Sequence, residues 1–374
     1  LYMITQITVE NFKSIENLSV DLGRINVFIG ANGVGKSNIL EAIAMLASER
    51  SGLIETKDMI SKGIRIAKPD LMIGSFFGKK VIEEIGSCIY FNNLRNPECP
   101  LRYRIYNLNY LDVFSRWSCN VSLPPRGGMP TEKHVEEYDK EKDEKKNYIS
   151  QYLIYSLSTS ALRGITRENY ELPLGINGEG LDVLLNNLPQ EEIERIKEIA
   201  EDCISWIDDI LLDKEETYKM QGYKLGRSIS NLYFRDKYMQ KKNNLFSAEN
   251  ANEGALHLLF YLTLFISKRT PDFFGIDNIE TGLNPRLCRY LMKNLASLVE
   301  ENDKQVLITT QNPAVLDGMN LHDDNQRLFV VTRKDNGATK IERIKLKPMR
   351  DGKDVQNKPV SYTHLRAHET PEHL

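Results

Sequence analysis

The sequence lacks several features, and each absence narrows the reading. Its five cysteines (Cys88, Cys99, Cys119, Cys203, Cys288) are an odd number without a C-x-x-C pair. That excludes a disulfide or zinc framework and points to reduced thiols. Long hydrophobic runs are missing as well, because the stretch from Ala255 to Ile266 is too short and interrupted to span a bilayer. The opening "LYMITQITVE" has no basic segment followed by an apolar one, so no signal peptide is read, a cytoplasmic location is expected and no membrane partner is. Neither sign of charge dominates: Lys+Arg number 49, Asp+Glu 52, and basic residues come only in pairs such as Lys79-Lys80 and Lys241-Lys242. Charge alone therefore neither supports nor excludes a nucleic-acid partner.

What is present suits a globular protein of one large domain or two ordinary ones: 374 residues, 41% apolar and 27% charged. The last fifteen residues, "VSYTHLRAHETPEHL", read as a translated sequencing adapter, so residues 360–374 are set aside. Three of the six histidines, His364, His368 and His373, lie in that tail and are not taken as metal ligands. Leu1 and Tyr2 before Met3 read as upstream translation, and a native C-terminus beyond Pro359 is expected to be missing.

Along the chain, "MITQITVENF", "NLSVDL" and "INVFIG" read as strands, and "KSNILEAIAMLASE" places Ile39, Leu40, Ile43, Leu46 and Ala47 on one helical face. Residues 1–50 are thus one segment. Residues 51–250 form a less regular insertion, with strands expected at Cys88 to Phe91 and Leu101 to Val113. The charge run "EKHVEEYDKEKDEKKN" is expected to be a surface loop or frayed helix. An amphipathic helix is expected with Ile193, Ile196, Ala200, Cys203, Ile204 and Ile207 on one face. Residues 251–359 regain an α/β rhythm: a helix from Glu253, a strand Phe273 to Ile276, a helix from about Pro285 to Glu300, and the strand "QVLITT". A hairpin turning at Asn336-Gly337 follows.

The chemistry sits in two places. "GANGVGKS", comprising Gly30, Ala31, Asn32, Gly33, Val34, Gly35, Lys36 and Ser37, fits G-x-x-x-x-G-K-[ST] between a strand and a helix, and Asn38 follows it. Its backbone N–H groups and the helix N-terminus suit phosphate, Lys36 suits the β/γ-phosphates and Ser37 suits Mg²⁺. Asp277 ends an apolar strand, where an acid needs a cation or hydrogen-bond partners. Holding Mg²⁺ beside Ser37 is the role it would take; a turn or helix cap is the plain alternative.

Four segments together resemble the ABC-type ATPase heads of the SMC, Rad50 and OLD-like AAA-family ATPases. They are "ITVENFKSIENLSVDLGRINVFIGANGVGKSNILEAI", "ANEGALHLLFYLTLF", "FFGIDNIETGLNP" and "VLITTQNPAVLDG". The resemblance implies an α/β P-loop NTPase of ABC-ATPase-head type, with a β-rich, helix-containing insertion between the P-loop and signature halves. It also implies ATP and Mg²⁺ as ligands and a homodimer that sandwiches two ATP molecules. On that mapping Asn252, Glu253 and Gly254 occupy the signature loop, a plain capped helix being the alternative, and Lys13 lies near the nucleotide. The resemblance further implies a bacterial switch or scaffold for a nuclease or toxin-like effector in phage defence. Two other functions stay open: a DNA-repair or OLD-type nuclease that has lost its nuclease domain, and a nucleotide-binding module dead to hydrolysis.

Two departures bear on turnover. Asn278 stands where relatives carry a catalytic glutamate, and Gln311 where they carry histidine. An amide cannot act as a base at neutral pH, although glutamine can orient a water. Losing one charged participant costs about two to four kcal/mol, or roughly ten- to a thousand-fold in rate. Glu280 either supplies part of the missing function or is a surface residue paired with Arg286.

Overall fold

The computed structural model describes residues 2–92, 100–107, 116–124, 132–166 and 173–345; the side chains of residues 132–136 lie outside that description. The end of the strand expected up to Val113, and the adapter-like tail, fall outside it too. The first segment forms as its alternation dictates. Strands β1 (Ile4–Phe12) and β2 (Ile15–Asp21) pair antiparallel, β3 (Ile25–Ile29) follows, and helix α1 (Lys36–Ala47) starts inside the P-loop.

Residues 51–250 are shared out over three sheets. Within them come β4 (Leu53–Ile54), the short helices α2 (Thr56–Ser61) and α3 (Pro69–Met72), then β5 (Glu84–Phe91), β6 (Leu101–Asn107) and β7 (Trp117–Ser122). Next stand α4 (Glu132–Ser150), β8 (Ile154–Tyr155), α5 (Thr159–Leu162), α6 (Leu181–Asn186) and α7 (Gln190–Cys203). After these come β9 (Ile207–Leu212), α8 (Thr217–Met220), β10 (Leu232–Asp236) and β11 (Leu245–Ser247). The remainder is α9 (Glu253–Ile266), β12 (Phe273–Ile276), α10 (Pro285–Glu301), β13 (Gln305–Thr310), a 3₁₀ turn at Pro313–Gly318, and the hairpin β14 (Gln326–Arg333) and β15 (Thr339–Ile344).

One antiparallel sheet runs β2-β1-β5-β6-β7-β4. A second, β15-β14-β3-β13-β12-β8, is parallel except at the β14–β15 hairpin. A third, β11-β10-β9, is a small antiparallel unit. The parallel sheet is buried on both faces, as its apolar strands require. Phe28, Leu307, Phe329 and Val331 point toward the cluster that holds α1 and the antiparallel sheet. Their neighbours Val27, Ile308, Leu328 and Val330 point toward the cluster around α9. Alternation along a strand puts successive side chains on opposite faces.

Gln305 ties the two large sheets together. Buried at the start of β13, its Nε2 donates to Ile4 O (2.7 Å) and Gly23 O (2.8 Å), while its Oε1 accepts from Ile4 N (3.0 Å).

Two expectations are corrected. The charge run is neither loop nor frayed end but part of α4, a nineteen-residue helix. Its inner face is Tyr138, Lys145, Tyr148 and Ile149, at helical spacing. Lys145 is buried with its ammonium over the Phe91 ring, and Tyr138 Oη donates to Leu123 O. Lysine stems cover apolar surface this way, so counting only apolar letters hides the seam. Ile207 does not belong to the amphipathic helix: α7 ends at Cys203, and Ile207 opens β9.

Replacing Gln305 by leucine leaves three backbone groups without their partner. We expect a loss of about 2–4 kcal/mol in urea unfolding, and a wild-type midpoint would show that the sheets are joined by packing alone.

Candidate nucleotide-binding site

The site forms where three parallel strands end together. Register places Ile276 beside Ile308 and Thr310 beside Ile29, so Asp277, Thr309 and the P-loop share one edge of the sheet. Open α/β sheets bind ligands at this edge, and α1 turns its N-terminal partial charge toward it.

Close approach explains the P-loop glycines. A Cβ on Gly30 would stand 2.3 Å from Val331 O, and one on Gly35, whose φ is 103°, would stand 2.2 Å from Thr339 Oγ1. Lys36 is buried, and its Nζ donates to Gly30 O (2.7 Å) and Ala31 O (2.9 Å). Burial lowers its pKa, while the charges of Asp277 and Glu280 oppose that shift. Arg333 braces the loop from outside, donating to Gly33 O through Nε (3.0 Å) and a terminal nitrogen (2.6 Å). Thr339 Oγ1 donates to Val34 O (3.0 Å). Asn32 is exposed at the loop tip.

Asp277 faces Ser37. Ser37 Oγ lies 3.0 and 2.9 Å from its two carboxylate oxygens, and Thr309 Oγ1 donates to one of them. These are hard oxygen donors of the kind Mg²⁺ takes. Among the described residues no group of three or more His, Cys, Asp or Glu could hold a metal. One carboxylate and one hydroxyl fit a Mg²⁺ shared with a phosphate, which is how that ion is usually held.

Asn278 has left-handed backbone (φ 55°), and its N–H donates to Thr309 Oγ1 (2.9 Å). Glu280 is not paired with Arg286. Its carboxylate accepts from Thr310 Oγ1 (2.8 Å) and from the backbone N–H of Gln311 (2.9 Å), pinning the loop after β12 to the end of β13. The side chain of Gln311 is exposed.

Lys13, also at positive φ (48°), reaches Glu41 on α1 and donates to Arg65 O (2.9 Å). Glu41 is buried, and Arg65 Nε also donates to it (2.5 Å). Asn38 joins the cluster through Ser14 (2.7 Å) and Arg65 (3.3 Å).

The signature residues stand apart. Asn252 caps α9 by its backbone conformation alone, Glu253 accepts from Thr159 Oγ1, and Gly254 lies against the loop containing Gly282. Among the described residues no hydrogen bond joins these three to the P-loop of the same chain. Beneath them His257 is buried; its Nδ1 meets Glu253 O (2.9 Å), and its Nε2 has no hydrogen-bond partner among the described residues.

Sequence reasoning missed Thr309, Glu41, Arg65, Arg333 and Thr339. Glu41 and Thr309 lie within the quoted segments but fill no fixed position of the P-loop pattern, and strand register and loop docking bring all five to the site. Asp277 N donates to Tyr155 O (2.9 Å), so Ser156 to Thr159 continue from this edge of the sheet.

The AAA ATPase domain family model matches residues 3–316. An uncharacterized protein of Methanocaldococcus jannaschii, MJECL10, is 30% identical over 102 residues, covering 27% of this chain and 42% of that protein. The DNA replication and repair protein RecF of Lactobacillus acidophilus is 47% identical over 49 residues, 13% of each chain. This chain thus spans less than half the length of either curated relative. Among solved structures, an Smc head bound to the C-winged helix domain of ScpA aligns with a TM-score of 0.56 at 18% identity, covering 92% of this chain and 98% of that one. The Smc head with an extended coiled coil from Pyrococcus furiosus aligns at 0.54 and 16%, covering 92% and 97%. At such identities the likeness concerns the fold.

Thr309→Val removes a donor to Asp277 and an acceptor for Asn278. We expect the Mg²⁺ concentration that half-saturates ATP binding to rise about three- to tenfold, the loss of about one hydrogen bond, as read by titration calorimetry.

Burial lowers the pKa of His257, with Glu253 opposing. The unfolded chain then takes up a proton near pH 6.5 that the folded chain refuses, so this residue's contribution to stability is present above that pH and lost as pH falls. The thermal midpoint should drop as pH falls below about 6.5, and His257→Leu should flatten that slope.

Proposed function

The chain belongs to the AAA ATPase domain family, and on that premise we propose that it binds Mg²⁺ and ATP at the P-loop, hydrolyses ATP slowly, and uses it chiefly to clamp two copies together. Lys36 and the loop N–H groups would hold the phosphates, and Ser37 and Asp277 the metal, which would neutralise phosphate charge when bound. The observation that carries the slow-turnover reading is the pair Asn278 and Glu280. Asn278 offers an amide where a base is needed. Glu280, the nearest acid along the loop, already accepts from Thr310 and Gln311. Glu280 and Gln311 therefore position the loop and a water more readily than they accept its proton.

The clamp is supported by the fact that, among the described residues, no hydrogen bond joins Asn252, Glu253 or Gly254 to their own P-loop. A helix N-terminus of this kind suits the γ-phosphate held by a second copy. A stand-alone role as a switch for a nuclease or toxin subunit in phage defence follows from resemblance of the motifs alone. A DNA-repair role takes its support from the short RecF match and the Smc-like fold, and the near-neutral charge balance bears on it neither way.

Hydrolysis and light scattering should be measured with Mg²⁺ and ATP on wild type, Lys36→Ala, Asn278→Glu and Glu280→Gln. We expect wild type to dimerise with little turnover, Lys36→Ala to do neither, and Asn278→Glu to gain roughly ten- to a thousand-fold in rate. Brisk wild-type turnover abolished by Glu280→Gln would overturn the clamp reading and make Glu280 the base.

A further inference from the structure

A cavity of about 350 Å³ opens at the end of β12 opposite Asp277, where the chain enters the strand through Thr270, Pro271 and Asp272. That is the size of a pocket for a small molecule. Leu153, Tyr155, Leu174 and Thr270 line it and are buried, so they form its floor. Gln151, Lys268 and Arg269 line it and are exposed, so they form its mouth, and the half-buried Lys62 completes the polar lining.

Three cations and one acid line this space, and the acid already has a partner. Asp272 Oδ1 lies 3.4 Å from the ammonium of the buried Lys304, which also donates to Thr270 O (2.8 Å) and Pro271 O (3.2 Å). Lys62, Lys268 and Arg269 make no ion pair among the described residues; Lys62 Nζ donates only to Ser150 O, at the end of α4. Burial, reinforced by the charge of Arg50 and opposed by that of Asp58, pushes the Lys62 ammonium down to about 8, a loss that an anion beside it offsets. Tyr155 is the remaining polar group. Its ring packs edge-on against Phe260 and Phe274, and its hydroxyl makes no hydrogen bond among the described residues. The hydroxyls of Tyr152 and Tyr233 also lack partners but are sealed in protein; that of Tyr155 is not sealed, and the cavity is the space it meets. A hydroxyl held there is costly until something pairs with it.

We propose that this cavity binds a small organic carboxylate with a short apolar body, its head group held by Lys62, Lys268, Arg269 and the Tyr155 hydroxyl and its body covering Leu153 and Leu174. A guanidinium matches the two oxygens of a carboxylate. The carboxylate of Asp272 on the same wall favours a singly charged ligand over a phosphate, which brings more negative charge. The site is separate from the P-loop and does not depend on what that loop holds.

The test is titration calorimetry with sodium octanoate and, as a neutral probe of the same chain length, 1-octanol. The proteins are wild type, Tyr155→Phe, Lys36→Ala, the double variant Lys268→Ala with Arg269→Ala, and a control double variant, Lys241→Ala with Lys242→Ala. Both lysine-containing pairs are exposed, so the double variants should melt like wild type. The expected result in wild type is one saturable octanoate site and binding of 1-octanol at least about tenfold weaker, the loss of one charge-assisted contact. Octanoate should weaken about tenfold in the Lys268, Arg269 variant and about three- to tenfold in Tyr155→Phe, and stay unchanged in the control pair and in Lys36→Ala. No saturable octanoate binding, equal affinity for the two probes, wild-type affinity in either cavity variant, or an equal loss in the control pair overturns the proposal. Loss of octanoate binding in Lys36→Ala would place the anion at the P-loop and overturn it as well.

Discussion

A carboxylate at the end of a buried strand is the constraint around which this molecule is arranged. Asp277 follows four buried residues, Phe273 to Ile276, and cannot be left without partners there. Its partners come from two other strand ends: Ser37 through the P-loop that follows β3, and Thr309 near the end of β13. Strand register brings these groups together across 240 residues of chain. A slip of one residue in β13 would turn Thr309 to the opposite face and place Ile308 or Thr310 against the acid.

The surrounding architecture keeps that edge stiff. Helix α1 lies between the two large sheets and buries apolar residues almost all round. Gln305 joins the sheets at the start of β13, while Arg333 and Thr339 brace the P-loop. A polar side chain that satisfies three buried backbone groups fixes one arrangement of the sheets, which apolar packing alone specifies less sharply. Glu280 works in the same way: held by Thr310 and Gln311, it links the loop after β12 to the end of β13.

Much of the fold was legible because its elements carry clean periodicity. The alternation in β1, β2 and β3, the helical face of α1 and the apolar strands β12 and β13 needed only local reasoning. The P-loop was legible because phosphate binding imposes both the residues and their spacing. The charged helix α4 was hidden, because its inner face sets the stem of Lys145 and two tyrosines beside Ile149 where a plainer seam would be aliphatic throughout. Ile207 was misplaced since one apolar letter fits a helix face and a strand start equally well.

The sequence by itself determined the phosphate loop, the acid that faces it and the absence of a glutamate beside that acid, since each is a matter of residue type and local spacing. Tertiary structure decided which hydroxyls hold Asp277, that Glu280 braces a strand end, that Glu41 gathers Lys13 and Arg65, and that Lys62, Tyr155 and Arg269 line one cavity. Those contacts join residues dozens to hundreds of positions apart. Their geometry depends on strand register and on loops docked to other loops, which no run of neighbouring letters encodes.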